Sequence, residues 1–388
     1  MVLYIHFINK KTTIEGKVIF KLPKGIVNID MSNIGDNLLY YKYSIKHLIK
    51  LEKQGIDKES PDFLSAYRSF AGSVYENYLY EKLLIYAKHN PQLGNFILKG
   101  PHAPKKSSLS NALHVDGHGQ IIYKTKAIEI GEFDALFFNE KEIIFVEMTL
   151  IKSVRNLKRR LRKKKALLET LFPNQEIKAL IILNKGVVGS TKMPDYCTVW
   201  LTKPFDVDDI YNHLKSNNNY KRKPFIQHTA KNLVDDSKLK VFPFKYYNSL
   251  SWMMQKLRAK QNSILNMEFL KTESCTRYID LFTKVYLGYM DKKDFQTMYP
   301  DVPDVTEKVA VSIEKEHTDK LILTYFMQYS RKKLVNVVIK DKKAKVVKKD
   351  AHGISVTEVF HILREIEPKY KISIKDINVA DKLLRSLD

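Results

Sequence analysis

Cysteine is scarce in this chain: its 388 residues include two, Cys197 and Cys275, which lie far apart and form no CxxC or Cys/His cluster. Such usage argues against a disulfide framework and a structural zinc site, and it fits a reducing compartment. The N-terminal stretch lacks the basic start and long apolar run of a signal peptide, and no run approaches the roughly 20 apolar residues of a membrane span. We therefore expect a cytoplasmic protein without a membrane partner.

Acidic residues are also few: 43 Asp and Glu stand against 66 Lys and Arg, which gives a formal net charge of +23. A balance this basic favours a polyanionic partner, most often nucleic acid. We expect DNA, with RNA as the alternative, and leave a homo-oligomer open. The sequence has no Walker loop, dinucleotide fingerprint, nucleophile elbow or zinc-finger spacing, so a nucleotide-driven motor or a serine-type hydrolase is not supported.

The hydrophobic pattern predicts four segments. Residues 1–60 form an extension, with a β-hairpin around NKKTTIEGK and a helix over NLLYYKYSIKHLIKLEKQG that ends at Gly55. Residues 61–216 form the core. Residues 217–300 form a helical connector that begins with the linker KSNNNYKRK. Residues 301–388 form an α+β domain with a basic hairpin, LVNVVIKDKKAKVVKK, and two helices with predicted caps at Ser355 with Glu358 and Ser373 with Asp376.

The core segment alternates helices with strands. A helix begins at SPDF and ends near His89, and a loop, PHAPKKSSLSNALHVDGHGQ, follows the short strand NFILKG. IIYKTKAIEIG, EFDALFFNE and EIIFVEMTLI are predicted strands, followed by a helix from Ser153 to about Phe172. The strands IKALIILNKG and YCTVWLT and the helix PFDVDDIYNHLKS complete the order. This order predicts an α/β fold with a mixed central sheet flanked by helices.

Two carboxylates stand in apolar strands, where a charge is costly unless it is paired or holds a metal. Asp134 opens the strand EFDALFFNE, and Glu147 lies at the centre of EIIFVEMTLI. The tight turn NEKE makes these strands antiparallel neighbours, so the two acids can converge, and Glu76 lies on the preceding helix. Paired carboxylates suit Mg²⁺ or Mn²⁺, which can ionise a water and neutralise charge on a phosphodiester. Taken singly, each acid could instead be solvated or bonded to backbone amides.

The three acids and the order of elements resemble the PD-(D/E)XK nuclease superfamily, which has the restriction-endonuclease-like fold. The resemblance covers about residues 63–216 and rests on Asp134 in EFD, Glu147 in VEMT and Glu76 in GSVYEN. It implies a metal-dependent endonuclease that hydrolyses DNA, with Asp134 and Glu147 on the metal and Glu76 assisting. Restriction, defence or mobile-element roles follow by analogy with the fold alone.

One position departs from the family pattern: the Lys expected two residues after the Glu is Thr149. The family's Lys positions the attacking water and stabilises charge in the transition state, and Thr149 cannot supply a cation. Lys152, at the strand end, and Lys158, on the next helix, are candidates for a relocated Lys. The alternative function is therefore a weakened or inactive nuclease-fold protein that binds nucleic acid.

The helix after Glu147 carries charges of one sign beside an apolar face. The apolar face consists of Val154, Leu157, Leu161, Leu168 and Leu171. Because the helix follows the acidic strand directly and the cations from Arg155 to Lys163 have no balancing acids at i+4, it predicts a phosphate-binding surface rather than a solvated face. The predicted nucleic-acid-binding residues are Arg155, Lys158, Arg159, Arg162 and Lys163.

Two further polar features favour ordinary roles. The loop HVDGHG offers His114, Asp116 and His118, but incidental histidines in a Gly-rich loop are far commoner than a transition-metal site. Glu132 shares a predicted strand face with Asp134, and we interpret it as an edge charge rather than an additional ligand.

Overall fold

The chain divides into two compact units, Met1–Phe244 and Lys245–Asp388. The structure thus has one division, between Phe244 and Lys245, whereas the sequence predicts boundaries at residues 60, 216 and 300. The computed structural model describes residues 6–7, 37–125, 128–184, 186–202, 207–217, 230–244, 246–258, 265–282, 284–302, 307–316, 320–330, 333–340, 343–348 and 370–386.

Two sheets form the frame of the first unit. Its strands are β1 (His6–Phe7), β2 (Asn95–Ile97), β3 (Ala112–Val115), β4 (Ile121–Thr125), β5 (Ile128–Phe133), β6 (Ala135–Phe138), β7 (Glu142–Thr149), β8 (Glu176–Asn184), β9 (Cys197–Thr202) and β10 (Leu233–Val234). Seven of them form the sheet β1-β9-β8-β7-β6-β2-β10, and β3-β4-β5 form a separate antiparallel sheet. In the larger sheet β7, β8 and β9 are parallel, whereas β6 is antiparallel to β7 and to β2. The central sheet is therefore mixed.

Helices flank this sheet, as the sequence predicts for an α/β fold. They are α1 (Lys46–Lys53), α2 (Pro61–His89), α3 (Leu157–Leu171) and α4 (Asp208–Asn217). The start of α2 agrees with the predicted SPDF signal: the Ser60 side chain accepts a hydrogen bond from the Phe63 N–H, and Pro61 occupies the first turn. One face of α2 packs with Val146 and Met148 of β7 into the hydrophobic core.

Several predicted elements differ from the structure. The predicted N-terminal hairpin lies outside the described residues apart from β1. The helix predicted from residue 37 is interrupted: Asn37 and Leu38 are helical, and α1 begins only at Lys46. Between them lies a segment without regular structure, in which buried Tyr41, Tyr43 and Ile45 alternate with exposed residues. The predicted long strand IIYKTKAIEIG is the pair β4–β5, and the loop before it contains β3.

The helix predicted from Ser153 begins four residues later. Ser153 bridges Val188 in a parallel arrangement, and the Val154 N–H donates to the Val188 carbonyl. This pairing keeps the residues before Leu157 out of the helix. α3 therefore begins at Leu157 and ends at Leu171.

A five-stranded antiparallel sheet forms the second unit together with helices. Its strands follow in chain order as β11 (Lys284–Asp291), β12 (Lys308–Lys315), β13 (Leu321–Ser330), β14 (Lys333–Lys340) and β15 (Lys343–Lys348). The described helices are α5 (Tyr246–Leu257), α6 (Met267–Leu270), α7 (Glu273–Phe282), α8 (Lys292–Met298) and α9 (Ile374–Arg385). The segment predicted as a helical connector thus contributes a strand, β11, to this sheet.

Two predictions for the second unit agree with the structure. β14 and β15 form the basic hairpin, and Ser373 with Asp376 forms a complete capping box at the start of α9. The helix predicted with caps at Ser355 and Glu358 lies outside the described residues. Gly288, with φ of 150°, allows residues 370–372 to approach β11, because a Cβ there would stand 2.1 Å from the Tyr370 carbonyl oxygen.

In the described part of the chain, no helix combines the length and apolar character needed to cross a membrane.

Candidate active site

Asp134 lies at the junction between the two sheets of the first unit. β5 ends at Phe133 and β6 begins at Ala135, so Asp134 alone connects them. Its Oδ2 accepts a 2.6 Å hydrogen bond from the backbone N–H of Met148 on β7. This bond holds the carboxylate against β7 through one oxygen and leaves Oδ1 for other partners.

Glu147 lies within β7, in the interior of the seven-stranded sheet, and is 2 % exposed. Because Ala135 pairs with Val146 across β6 and β7, Asp134 and Glu147 meet on neighbouring antiparallel strands. Strand alternation puts Glu147 and Thr149 on the same face of the sheet. The structure therefore brings together the two acids that the sequence predicts as metal ligands.

Lys164 of α3 supplies a cation to both acids. Its Nζ lies 2.5 Å from Glu147 Oε2 and 3.8 Å from Asp134 Oδ1. The Lys164 side chain is 9 % exposed, and its Nζ lies 5.8 Å from the centroid of the Phe133 ring. A buried ammonium is stable only with such partners, so the three charged groups form one unit.

The candidates for a relocated lysine lie elsewhere, which corrects the sequence-based expectation. Lys152 is exposed after β7, and its carbonyl oxygen accepts the Val188 N–H. Lys158 is partly buried on the first turn of α3, and neither side chain lines the cavity around Glu147. A signal for Lys164 was present: it interrupts the apolar face between Leu161 and Leu168, where a cation needs a buried partner.

Arg160 supplies a second cation to Glu147. Its Nη2 forms an ion pair with Glu147 Oε1, while Lys164 takes Oε2. Arg160 precedes Lys164 by one helical turn, so both side chains leave the same side of α3. The Arg160 side chain is 50 % exposed, in contrast to the buried Lys164.

Glu76 faces the same cavity from α2, as predicted, but its partner was not anticipated. Its Oε1 lies 2.5 Å from Nζ of Lys99, the buried residue two positions after β2. The Lys99 backbone N–H donates to the Tyr80 hydroxyl at 2.8 Å, which ties this segment to α2. A lysine at the end of the apolar stretch NFILKG has the same sequence signature as Asp134, namely a charge at an apolar strand end.

The acids and cations of this site surround an open cavity of about 490 Å³. Thr149 lines it, as does Glu132 of β5, whose Oε1 accepts a 2.7 Å hydrogen bond from Gln120. The charged side chains of the lining include Arg68, Glu76, Glu132, Asp134, Glu147, Arg160, Lys163 and Lys164. Glu132, Asp134 and Glu147 therefore line the cavity from the sheets, α2 contributes Glu76 and Arg68, and α3 contributes the other cations.

The electrostatics follow from burial and from the proximity of like charges. Burial raises the pKa of Glu147, and the neighbouring charge of Asp134 raises it further, against the opposing effect of Lys164 and Arg160. Burial would by itself lower the pKa of Lys164, but Glu147 and Asp134 raise it above its ordinary value. Lys164 therefore stays charged near neutral pH.

The donor set of the site suits a divalent cation. In the described residues no three His, Cys, Asp or Glu side chains are grouped to hold a metal ion. Mg²⁺, however, is commonly held by one or two carboxylates, with water and substrate phosphate as its other ligands. Asp134 and Glu147 are close enough to contact a single ammonium, so they could bind one such ion.

The predicted nucleic-acid-binding residues occupy different environments. Lys163 lines the cavity, whereas Arg155, Lys158, Arg159 and Arg162 do not. Arg155 is exposed in the segment before α3 rather than on the helix itself. Sequence reasoning missed Arg160, which does line the cavity, because its spacing from the motif carries no family signature.

The histidine loop takes the structural role expected from its sequence. His114 is buried on β3, and its Nδ1 lies 3.2 Å from the Ala112 carbonyl oxygen. Asp116 Oδ1 accepts hydrogen bonds from the backbone N–H groups of His118 and Gln120. These bonds shape the turn between β3 and β4.

No family model, curated protein or solved structure matches this chain.

Proposed function

We propose that this chain is a metal-dependent endonuclease that hydrolyses DNA phosphodiester bonds. The observation that carries the proposal is the convergence of Asp134 and Glu147 on the Lys164 ammonium beside an open cavity. Two carboxylates can hold a metal ion that activates water, and a buried lysine can stabilise the charge that develops on a phosphodiester in the transition state. The formal charge of +23 adds a general attraction for a polyanion.

The proposal includes a restriction-endonuclease-like fold, as in the PD-(D/E)XK superfamily, for the first unit. Its support is the chain order: α2, the antiparallel pair β6–β7, then α3, and then β8 and β9 parallel to β7. We also propose a cytoplasmic location, in keeping with the free cysteines Cys197 and Cys275.

In this mechanism Asp134 and Glu147 would hold Mg²⁺ or Mn²⁺, and Glu76 would orient water at the cavity wall. The bound ion would supply Lewis acidity, which polarises the phosphodiester and lowers the pKa of a water ligand. Lys164 takes the part of the lysine that Thr149 replaces. Its Nζ, held beside both acids, stabilises the negative charge that develops on the phosphoryl oxygens.

Cations around the cavity would bind the flanking phosphates of the DNA. Arg160 and Lys163 approach from α3 and Arg68 from α2, so the cavity is bordered by positive charge on two sides. Contacts of this kind position a nucleic acid without reading its sequence.

A second candidate is a nuclease-fold protein that binds nucleic acid without cleaving it. Both carboxylate oxygens of Glu147 pair with cations of α3, Arg160 and Lys164, which occupy positions that a metal ion would contest. The presence of Thr149 in place of the family's Lys also favours this second candidate.

Incubation of the chain with supercoiled plasmid, linear duplex, single-stranded DNA and RNA separates these candidates. Cleavage of DNA in Mg²⁺ or Mn²⁺ that EDTA abolishes is the expected result. Salt-dependent binding without cleavage in either metal would establish the second candidate. Cleavage of RNA alone would overturn the assignment of DNA as substrate.

A further inference from the structure

The two cations on Glu147 are held very differently. Lys164 is 9 % exposed, contacts Asp134 as well as Glu147, and lies against the Phe133 ring. Arg160 pairs with Glu147 Oε1 from a side chain that is 50 % exposed. Moving Lys164 away would leave a buried ammonium without its partners, Asp134 without a cation, and Glu147 with one cation in place of two. Arg160, in contrast, can exchange its partner within water.

A metal ion on Glu147 requires one of these cations to leave its oxygen. Since both oxygens are paired, the carboxylate has no oxygen that is remote from a protein cation. Displacing Arg160 from Glu147 costs less free energy than displacing Lys164, because the guanidinium already borders the open cavity and can be rehydrated there. A phosphate group entering the cavity offers that guanidinium a bidentate partner in place of Glu147.

We propose that Arg160 is a positioning residue that couples phosphate binding to opening of the metal site: it pairs with Glu147 in the free protein and transfers to a substrate phosphate, which releases Glu147 Oε1 for the metal. This inference rests on the proposed nuclease function and adds the order of events to it. The free protein then binds a divalent cation weakly, and DNA raises that affinity. By reciprocity the divalent cation raises the affinity for DNA by the same factor.

The coupling makes an unusual prediction about the loss of Arg160. Were Arg160 only a support that orients Glu147, its removal would weaken metal binding. As a competitor for Oε1, its removal strengthens metal binding in the free protein. The two roles therefore give opposite signs in one measurement that requires no catalysis.

Electron paramagnetic resonance can measure Mn²⁺ binding to the full chain without nucleic acid. It shows whether the loss of Arg160 strengthens or weakens metal binding. Arg160→Ala should bind Mn²⁺ about fivefold more tightly than wild type, the lower end of usual coupling factors, because the Arg160 side chain is half exposed. Arg160→Lys should restore weak binding. Lys165→Ala removes an equal charge from the same helix, at a residue that pairs with Glu169 outside the cavity lining, and should change the affinity less than about twofold. Unchanged or weaker binding by Arg160→Ala, or an equal gain in Lys165→Ala, overturns the proposal.

Binding of a short labelled duplex in EDTA, across a salt series, tests the transfer to phosphate. The salt slope of Arg160→Ala should fall by about one relative to wild type, since one phosphate contact is lost. An unchanged slope would show that Arg160 stays on Glu147 in the complex and would also overturn the proposal. If wild type binds Mn²⁺ neither alone nor with DNA, the proposed function itself fails. If wild type binds the metal and cleaves while Arg160→Ala behaves as wild type, only the coupling fails.

Discussion

At the residue scale, the site is a balance of buried and partly exposed charges of both signs. Glu147 is held by Lys164 and Arg160, and Glu76 is held by Lys99. Each acid alone would be costly in this position, and each is compensated by a cation from a helix or strand end. The chemistry of the site therefore depends on the cations as much as on the acids.

Replacement of Lys164 tests its part in catalysis. Lys164→Met should reduce metal-dependent nicking by about 100-fold or more, because the charge beside the scissile phosphate is lost. Thr149→Lys in that background should recover part of the activity, since Thr149 and Glu147 share a sheet face. Thr149→Lys alone should do little or interfere, because Lys164 already supplies the cation.

The neighbouring residue provides the control for that series. Lys165 follows Lys164 and pairs with Glu169 on the helix surface. Lys165→Met should nick plasmid at the wild-type rate. Equal activity in Lys164→Met and wild type would show that the transition state receives no charge from Lys164.

Lys82 of α2 predicts a pH dependence of stability away from the site. Burial lowers its pKa to about 8, from 10.5, and its Nζ lies 4.8 Å from the centroid of the Tyr78 ring. Between pH 8 and 10.5 the unfolded chain binds more protons than the folded one, so the contribution of Lys82 to stability rises with pH across that window. Lys82→Met should be more stable than wild type at pH 7, by about 1–2 kcal/mol, and the difference should shrink by pH 10. Urea unfolding of both proteins measures it, and a difference independent of pH would contradict the assignment.

The sequence predicted the acids of the site better than its cations. Asp134 and Glu147 interrupt apolar strands, and their spacing fits a hairpin, so local pattern was sufficient to bring them together. Lys164 reaches them from α3, through helix packing that no local spacing encodes. Its signal was the interrupted apolar face between Leu161 and Leu168, which is readable only when the helix phase is followed residue by residue.

At the element scale, α3 has two distinct faces. Its buried face carries Leu161, Lys164 and Leu168 toward the sheet, and its outer positions carry further arginines and lysines. The predicted start of this helix was wrong because Ser153 and Val154 pair with Val188, a contact distant in sequence. Similarly, Tyr41, Tyr43 and Ile45 were assigned to a helix, although they lie in a segment without regular structure in which burial alternates from one residue to the next.

The outer cations of α3 and its leading segment predict a measurable DNA-binding surface. Replacing Arg155, Lys158, Arg159 and Arg162 by Ala should weaken duplex binding roughly evenly across sequences and flatten its salt dependence, because phosphate contacts release counterions. Replacing exposed Lys42, Lys46, Lys50 and Lys53 removes the same charge near α1 and serves as the control. If both sets of substitutions weaken duplex binding equally, the cause is the total charge of the chain. If the salt dependence of binding is unchanged in the first set, the hairpin β14–β15 becomes the next candidate for the DNA-binding surface.

A buried glutamate joins α2 to two neighbouring segments. Glu81 is 0 % exposed and accepts hydrogen bonds from Asn37 Nδ2 at 2.8 Å and the Tyr41 hydroxyl at 2.7 Å, and His102 Nε2 lies 2.5 Å away. Glu81→Ala should destabilise the protein by about 3 kcal/mol, since it leaves buried donors without their acceptor. Glu59→Ala, at an exposed position, should change stability by less than about 0.5 kcal/mol. A loss below about 1 kcal/mol for Glu81→Ala in urea unfolding would contradict this role.

At the scale of the whole molecule, the sequence predicted the α/β class but not the extent of the first unit. Residues 230–244 return to that unit: β10 pairs in parallel with β2, and the Tyr123 hydroxyl accepts the Phe244 N–H. A strand of two residues, Leu233–Val234, has too few positions to show periodicity, so this return could not be predicted. The net charge of +23 is a property of the whole chain and favours a polyanion without identifying its kind.

The most direct test of the central claim is Mg²⁺-dependent nicking of supercoiled plasmid by wild type, Asp134→Asn and Glu147→Gln at equal folded concentration. Each substitution keeps the shape of the side chain and removes a carboxylate charge from the proposed metal site. Wild type should nick and lose its activity in EDTA. Both variants should lose nicking while binding DNA at least as tightly as wild type, because negative charge beside phosphate is removed. Nicking that survives in both acid variants would show that the activity does not arise at this site.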